Sequence, residues 1–133
     1  MTTIRPHPLP AIVLALVAAM SGCSTQGEPG VALSGTITYK GTPLTDGMIT
    51  FAPDKNIRSR TAASRIVNGR YTIARDDGPS PGRFQVTILA YDPTATADAE
   101  GRRPTLPGKY GWDGNLFVEV PRRKSHEFLF DLD

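Results

Sequence analysis

Arg-Thr-Ala-Ala-Ser-Arg-Ile-Val-Asn-Gly-Arg-Tyr-Thr-Ile, residues 60–73, is the stretch of the sequence that decides the fold. Asn68-Gly69 stands between two short runs of strand-forming residues, with Tyr71 and Ile73 on the same side of the second run. A type I′ turn requires positive φ at both central residues, and Asn-Gly is a preferred pair for it. The segment therefore predicts a β-hairpin with strands at about 60–67 and 70–73.

Apolar and polar residues alternate in the same way on both sides of this hairpin. Alternation with a period of two is typical of strands that bury one face. Gly35 interrupts the apolar side of the first such segment and predicts a bulge or a close backbone approach there. Together with the hairpin, the pattern predicts seven short strands, which favours an all-β two-sheet sandwich over a barrel or a βαβ fold. The other five segments are residues 31–40, 48–52, 83–90, 116–120 and 127–132.

The first 22 residues have the three parts of a secretory signal. Arg5 supplies a positive charge near the start, residues 11–20 form an apolar run, and the small residues Ser21 and Gly22 precede Cys23. The apolar run is too short to span a bilayer, which takes about 20 residues. We therefore predict that residues 1–22 are a signal peptide that is absent from the mature domain.

Ser21-Gly22-Cys23 resembles the bacterial lipoprotein signal, although Met20 stands where that signal more often has leucine. The resemblance implies cleavage after Gly22, a diacylglycerol on the Cys23 sulfur and acyl chains such as palmitate. Cys23 is the only cysteine, so it has no partner for an internal disulfide. We expect a protein anchored in an envelope membrane and facing away from the cytoplasm, with Ser24 favouring the outer membrane where one is present.

The rest of the chain has room for one domain. Residues 24–30, Ser-Thr-Gln-Gly-Glu-Pro-Gly, are polar and aperiodic, so residues 23–30 are predicted to be the lipidated cysteine and a flexible tether. Residues 31–133 are then the β-sandwich domain. A total of 133 residues is too short for two domains with separate cores.

Charge alone identifies no strong partner. Fifteen basic and 13 acidic residues give a formal charge of +2, and the longest run of like charge is Arg122-Arg123-Lys124. Nucleic-acid binding usually shows a clustered basic stripe, so we predict no nucleic-acid partner. The predicted partners are the membrane, through the lipid, and an envelope protein or glycan.

Several segments of the domain, taken in order, resemble the carboxypeptidase-regulatory-like, transthyretin-type domain of small bacterial lipoproteins. The resemblance covers the chain from about residue 31 to its end. It implies a Greek-key sandwich and a non-catalytic structural or interaction module, and it names no ligand. The segments are Leu33-Ser-Gly-Thr-Ile-Thr-Tyr-Lys-Gly-Thr-Pro-Leu44, Asn68-Gly-Arg-Tyr-Thr-Ile73, Pro81-Gly-Arg-Phe-Gln-Val86, Leu106-Pro-Gly-Lys-Tyr110 and Phe128-Leu-Phe-Asp-Leu132.

Residues for catalysis or metal binding are sparse. His126 is the only histidine after the predicted signal peptide, and no Cys/His cluster has zinc spacing. Hydroxyisourate hydrolases share the transthyretin architecture, but their Tyr-Arg-Gly-Ser ending is missing from this chain. We therefore predict a protein without catalytic activity and without a cofactor other than the lipid on Cys23, and keep a small transthyretin-like hydrolase as an alternative.

The long irregular stretch at residues 92–114 is the other candidate for function, because loops of this length are usually functional or disordered. Its second half holds Lys109, Tyr110 and Trp112, the only tryptophan. One interpretation is an exposed aromatic platform that binds a glycan or a partner protein. The other is a plug in which Tyr110 and Trp112 cover the open end of the sandwich.

Overall fold

The computed structural model describes residues 30–91 and 105–133. The predicted signal peptide at 1–22, Cys23 with most of the tether, and residues 92–104 lie outside the described residues. Just over half of the described residues form strands, and the only helical elements among them are two single 3₁₀ turns, Arg75–Asp77 and Gly108–Tyr110. The strands are β1 (Ala32–Tyr39), β2 (Thr42–Pro43), β3 (Asp46–Pro53), β4 (Ala62–Val67), β5 (Arg70–Ile73), β6 (Gly82–Ala90), β7 (Phe117–Val120), β8 (Ser125–Glu127) and β9 (Phe130–Leu132).

The predicted hairpin is confirmed. Val67 of β4 pairs with Arg70 of β5, and Asn68 and Gly69 have φ values of 50° and 75°. A second tight turn of the same kind joins β1 to β2. There Lys40 and Gly41 have φ values of 50° and 78°.

The hydrogen-bonded strand order is β2-β1-β5-β4-β3-β6-β7, and neighbours along this path are antiparallel. β8 and β9 also pair with β1, but they run parallel to it. The sheet curls around its apolar side chains. The all-β prediction is confirmed, whereas the count of seven strands is not, because nine strand segments are present among the described residues.

The two additional segments come from short pairings that alternation cannot indicate. β2 is only two residues long. The predicted last strand is divided into β8 and β9, yet its register against β1 is kept, since Ala32 pairs with Ser125 and Tyr39 pairs with Leu132. The division falls opposite Gly35, where the Phe128 carbonyl oxygen takes the place of a Cβ atom. The close approach predicted at Gly35 is therefore confirmed.

The core lies inside the curled sheet and is built from the alternating residues. In β6 the alternating residues Phe84, Val86, Ile88 and Ala90 are all buried, and Thr87 is buried on the other face. Tyr71 contacts the core from β5 and donates a hydrogen bond to the Phe128 carbonyl oxygen at 3.3 Å. The fully buried side chains of the largest volume include Phe51, Phe84, Leu33, Ile37, Ile49, Ile66 and Ile88.

The registers define two opposite ends of the sheet. At one end, which we call the tether end, Ala32 begins β1 and the loops at 54–61, 74–81 and 121–124 connect the strands. Hydrogen bonds join these segments, because the Val31 N–H donates to the Pro79 carbonyl oxygen at 2.9 Å and the Ala32 N–H donates to that of Lys124 at 3.0 Å. At the other end, the far end, β1 finishes at Tyr39 and β6 finishes at Ala90.

Candidate functional site

The candidate binding loop begins at the far end of the sheet. Thr105 donates its backbone N–H to the Ala90 carbonyl oxygen at 2.8 Å, so the chain re-enters the described structure beside the end of β6. Leu106 is buried and anchors the loop to the core. The chain then forms the 3₁₀ turn Gly108–Tyr110 and a further tight turn in which the Gly114 N–H donates to the Gly111 carbonyl oxygen.

Tyr110 packs into the core and ties this loop to the end of β9. Its side chain is 8% exposed. Its hydroxyl lies 2.8 Å from the Asp133 carboxylate oxygen Oδ1 and accepts the Asp133 backbone N–H at 3.1 Å. Tyr110 therefore has the position that the plug interpretation gives it.

Lys109 faces the same carboxylate. Its Nζ lies 3.0 Å from Asp133 Oδ1 and 4.9 Å from the centroid of the Tyr110 ring. The hydrogen bond to Asp133 raises the pKa of Lys109, and the hydrogen bonds from Lys109 and Tyr110 lower the pKa of Asp133. Both charged groups are exposed to solvent, so the pair positions Lys109 and adds little to stability.

Trp112 differs from its neighbours because it is 67% exposed. It borders an open depression of about 330 Å³ whose wall includes Leu89, Leu106 and Pro107. An indole beside an apolar depression supplies contact area together with one N–H donor, which suits a glycan ring or a protein side chain. Trp112 therefore has the exposure that the platform interpretation requires.

The three predicted site residues do not share one surface. Lys109 and Tyr110 line a different depression, of about 310 Å³, whose other walls are residues 113–116. Asp113 borders both depressions. The arrangement brings Lys109 and Tyr110 together with Asp133, while Trp112 joins an apolar wall.

Sequence reasoning missed Asp133 and Leu89 as members of these surfaces. Asp133 follows an alternating strand, and its charge gave no sign that it faces the loop. Leu89 lies on the half-buried outer side of β6, where alternation predicts exposure. The path of residues 105–116 across the sheet brings Lys109 and Tyr110 to Asp133 and places Trp112 at the same depression as Leu89.

His126 lies in β8, away from the candidate loop, and is half-buried. Its ring meets the Phe128 ring edge-on, with centroids 4.5 Å apart. Within residues 30–91 and 105–133, no group of three or more His, Cys, Asp and Glu side chains is arranged to hold a metal ion. The contacts of His126 are thus those of a packing residue.

The predicted lipidation site, Cys23, lies outside the described residues. Gly30 is the first described residue, and its carbonyl oxygen accepts a hydrogen bond from Arg75 Nε at 3.2 Å. Val31, the next residue, is buried. Seven residues therefore lie between Cys23 and Val31, the first buried side chain among the described residues.

Comparisons with known proteins found no matching family model, no matching curated protein and no matching solved structure. In the part of the chain that the structure describes, no helix has the length and apolar character needed to cross a bilayer.

Proposed function

We propose that this chain is a lipid-anchored protein of the cell envelope, whose β-domain is a non-catalytic structural or interaction module. The observation that carries the proposal is the sequence Ser21-Gly22-Cys23, with seven residues between Cys23 and Val31, the first buried side chain among the described residues. Cleavage after Gly22 and acylation of Cys23 would leave the folded domain close to the membrane that holds the lipid. Two acyl chains hold such an anchor stably, whereas one is marginal.

The positions of the tether and the candidate loop support an interaction module. The tether enters at one end of the sheet, and the 105–110 segment packs at the opposite end, where Tyr110 contacts Asp133. A domain held by its tether end would present the far end to the surroundings of the membrane. Such an arrangement suits a module that meets partners away from the bilayer.

The proposal also covers the topology of the curled sheet. We propose that the curled sheet is a Greek-key sandwich of the transthyretin type. The strand order β6-β3-β4-β5 supports this topology, because three antiparallel neighbours that follow one another in the chain are joined by a fourth strand that returns beside the first of them.

Membrane fractionation tests the anchoring proposal. Wild-type protein expressed in a bacterial host is compared with Cys23→Ala and with Ser24→Ala as a matched control, and the membranes are washed with concentrated salt to release proteins held by charge. We expect the wild type and Ser24→Ala to stay with the membranes and Cys23→Ala to leave them. Equal retention of all three variants, or release of all three, would contradict a lipid anchor on Cys23.

A second candidate function is glycan or protein binding through Trp112, favoured by the exposure of this side chain beside an apolar depression. Because Trp112 is the only tryptophan, its emission reports directly on this surface. Titration with a panel of neutral oligosaccharides should shift the emission of the wild type. The Leu129→Ala variant, which removes another exposed apolar side chain, is the control and should bind equally well. If no oligosaccharide changes the emission of Trp112, the result would contradict glycan binding at this surface.

A further inference from the structure

The tether end of the sheet gathers basic residues that are far apart in the sequence. Its three loops, residues 54–61, 74–81 and 121–124, carry seven basic side chains and three acidic ones. All seven basic residues are exposed, and they are Lys55, Arg58, Arg60, Arg75, Arg122, Arg123 and Lys124. In the sequence only Arg122, Arg123 and Lys124 form a run. The other four basic residues lie in loops that the strand registers bring to the same end of the sheet.

Hydrogen bonds show that these loops form one surface. Arg60 Nη1 donates to the Asp76 carbonyl oxygen at 2.7 Å, which links the first loop to the second. The Ser80 N–H donates to Ser59 Oγ at 2.9 Å, and the Ala32 N–H donates to the Lys124 carbonyl oxygen at 3.0 Å. The loops that carry the basic residues are therefore joined to one another and to residues 30–32, where the described chain begins.

The acidic residues of this end do not balance its charge. Arg60 and Arg75 bond to backbone carbonyl oxygens, so these contacts leave their positive charge in place. Asp54 faces Arg83, a strand residue outside the three loops, at 3.8 Å. By contrast, the described loops of the far end, residues 40–45, 68–69 and 105–116, carry two basic and one acidic side chain. The positive charge is concentrated at the end where the tether enters.

We propose that this basic tether end binds the phosphate groups of anionic phospholipids in the membrane that holds the Cys23 anchor. The inference rests on the proposed function, because the anchor places this end nearest to the bilayer. Seven residues span at most about 25 Å when extended, and a coil of that length averages about 15 Å. Charges at the domain surface therefore come within reach of a headgroup layer whose field falls off over about 8–10 Å.

Binding of headgroups would orient the domain. A lipid on a tether fixes the distance to the bilayer and leaves the domain free to rotate. Contact of the basic end with anionic headgroups would direct the far end, with the 105–110 segment, away from the membrane. The lipid would then hold the domain at the membrane, and the basic tether end would fix its orientation relative to the bilayer.

Vesicle sedimentation tests the proposal with the full chain, which carries Cys23→Ala in every sample so that no lipid contributes. Binding is compared between vesicles of phosphatidylcholine alone and vesicles that also contain phosphatidylglycerol. The apolar segment at 11–20 is the same in all samples, so the difference between the two vesicle types measures the contribution of charge. The test variant carries Arg58→Gln, Arg123→Gln and Lys124→Gln, and the matched control carries Lys40→Gln, Arg70→Gln and Lys109→Gln.

We expect roughly tenfold tighter binding to the anionic vesicles, lost in the test variant and in about 0.5 M NaCl, and kept by the control. Circular dichroism confirms that each variant is folded. Equal loss in both triple variants would overturn the proposal, because net charge and not this end would then explain binding. Equal competition by duplex DNA at the same phosphate concentration would also overturn it. Since no sample carries the lipid, this result is independent of the fractionation experiment on Cys23.

Discussion

The Phe128 carbonyl oxygen occupies the place that a Cβ atom on Gly35 would take. The same oxygen accepts the hydroxyl of Tyr71, so one backbone group joins the first strand, the hairpin and the last strand. Gly35 is therefore fixed by contact with backbone, which cannot move aside as a flexible side chain can.

Gly35→Ala should destabilise the domain by about 1–3 kcal/mol or more, since the added methyl group forces the last strand away from β1. Urea unfolding of the full chain measures the change. Gly108→Ala is the control, because a Cβ atom there meets nothing within 4 Å, and it should alter stability by less than about 0.5 kcal/mol. A Gly35→Ala protein as stable as the control would show that β8 and β9 do not pack on β1 as described.

Lys40→Asn should stabilise the domain by roughly 0.5–1 kcal/mol. Lys40 has a φ of 50° in the turn between β1 and β2, a conformation that costs a lysine more than an asparagine. Thermal unfolding of this variant is compared with that of Lys55→Asn, an exposed lysine whose φ is not positive. If both variants gained the same stability, the cause would be the lost positive charge and not the backbone conformation at Lys40.

Stability should fall in alkaline solution partly through Tyr71. Burial raises the pKa of the Tyr71 hydroxyl. The unfolded state therefore releases this proton near pH 10 while the folded state still holds it. The free energy of unfolding is therefore unaffected by this group below pH 10. Above that pH it falls by about 1.4 kcal/mol per pH unit, until the folded state also loses the proton. Tyr71→Phe should remove this part of the slope between pH 10 and 11, whereas Tyr39→Phe should keep it, as urea titrations at each pH would show.

Tyr110 and Trp112 should respond oppositely to truncation. Tyr110→Ala should cost about 3 kcal/mol, because it empties a buried site and removes the hydroxyl that contacts Asp133. Trp112→Ala should cost less than about 0.5 kcal/mol. The wild-type emission of Trp112 should also be strongly quenched by acrylamide, and blue-shifted emission that resists quenching would contradict the exposed position.

Local patterns in the sequence were sufficient for the strands and insufficient for their long-range contacts. Asn68-Gly69 predicts its turn because φ preference is a property of those two residues, and alternation predicts the buried side of β6. The pairing of β1 with β8 and β9 joins residues about ninety positions apart, which no local pattern encodes. For the same reason, sequence reasoning placed Tyr110 and Trp112 in one site, whereas the loop turns them to different surroundings, and it overlooked the basic tether end.

Intact mass of the protein purified from bacterial membranes tests the central claim most directly. The account predicts a chain that begins at Cys23 and carries the added mass of a diacylglycerol and acyl groups, while Cys23→Ala carries none. A wild-type chain with an unmodified Cys23 thiol would contradict the lipid anchor, and the domain would then be a β-protein without the membrane attachment proposed here.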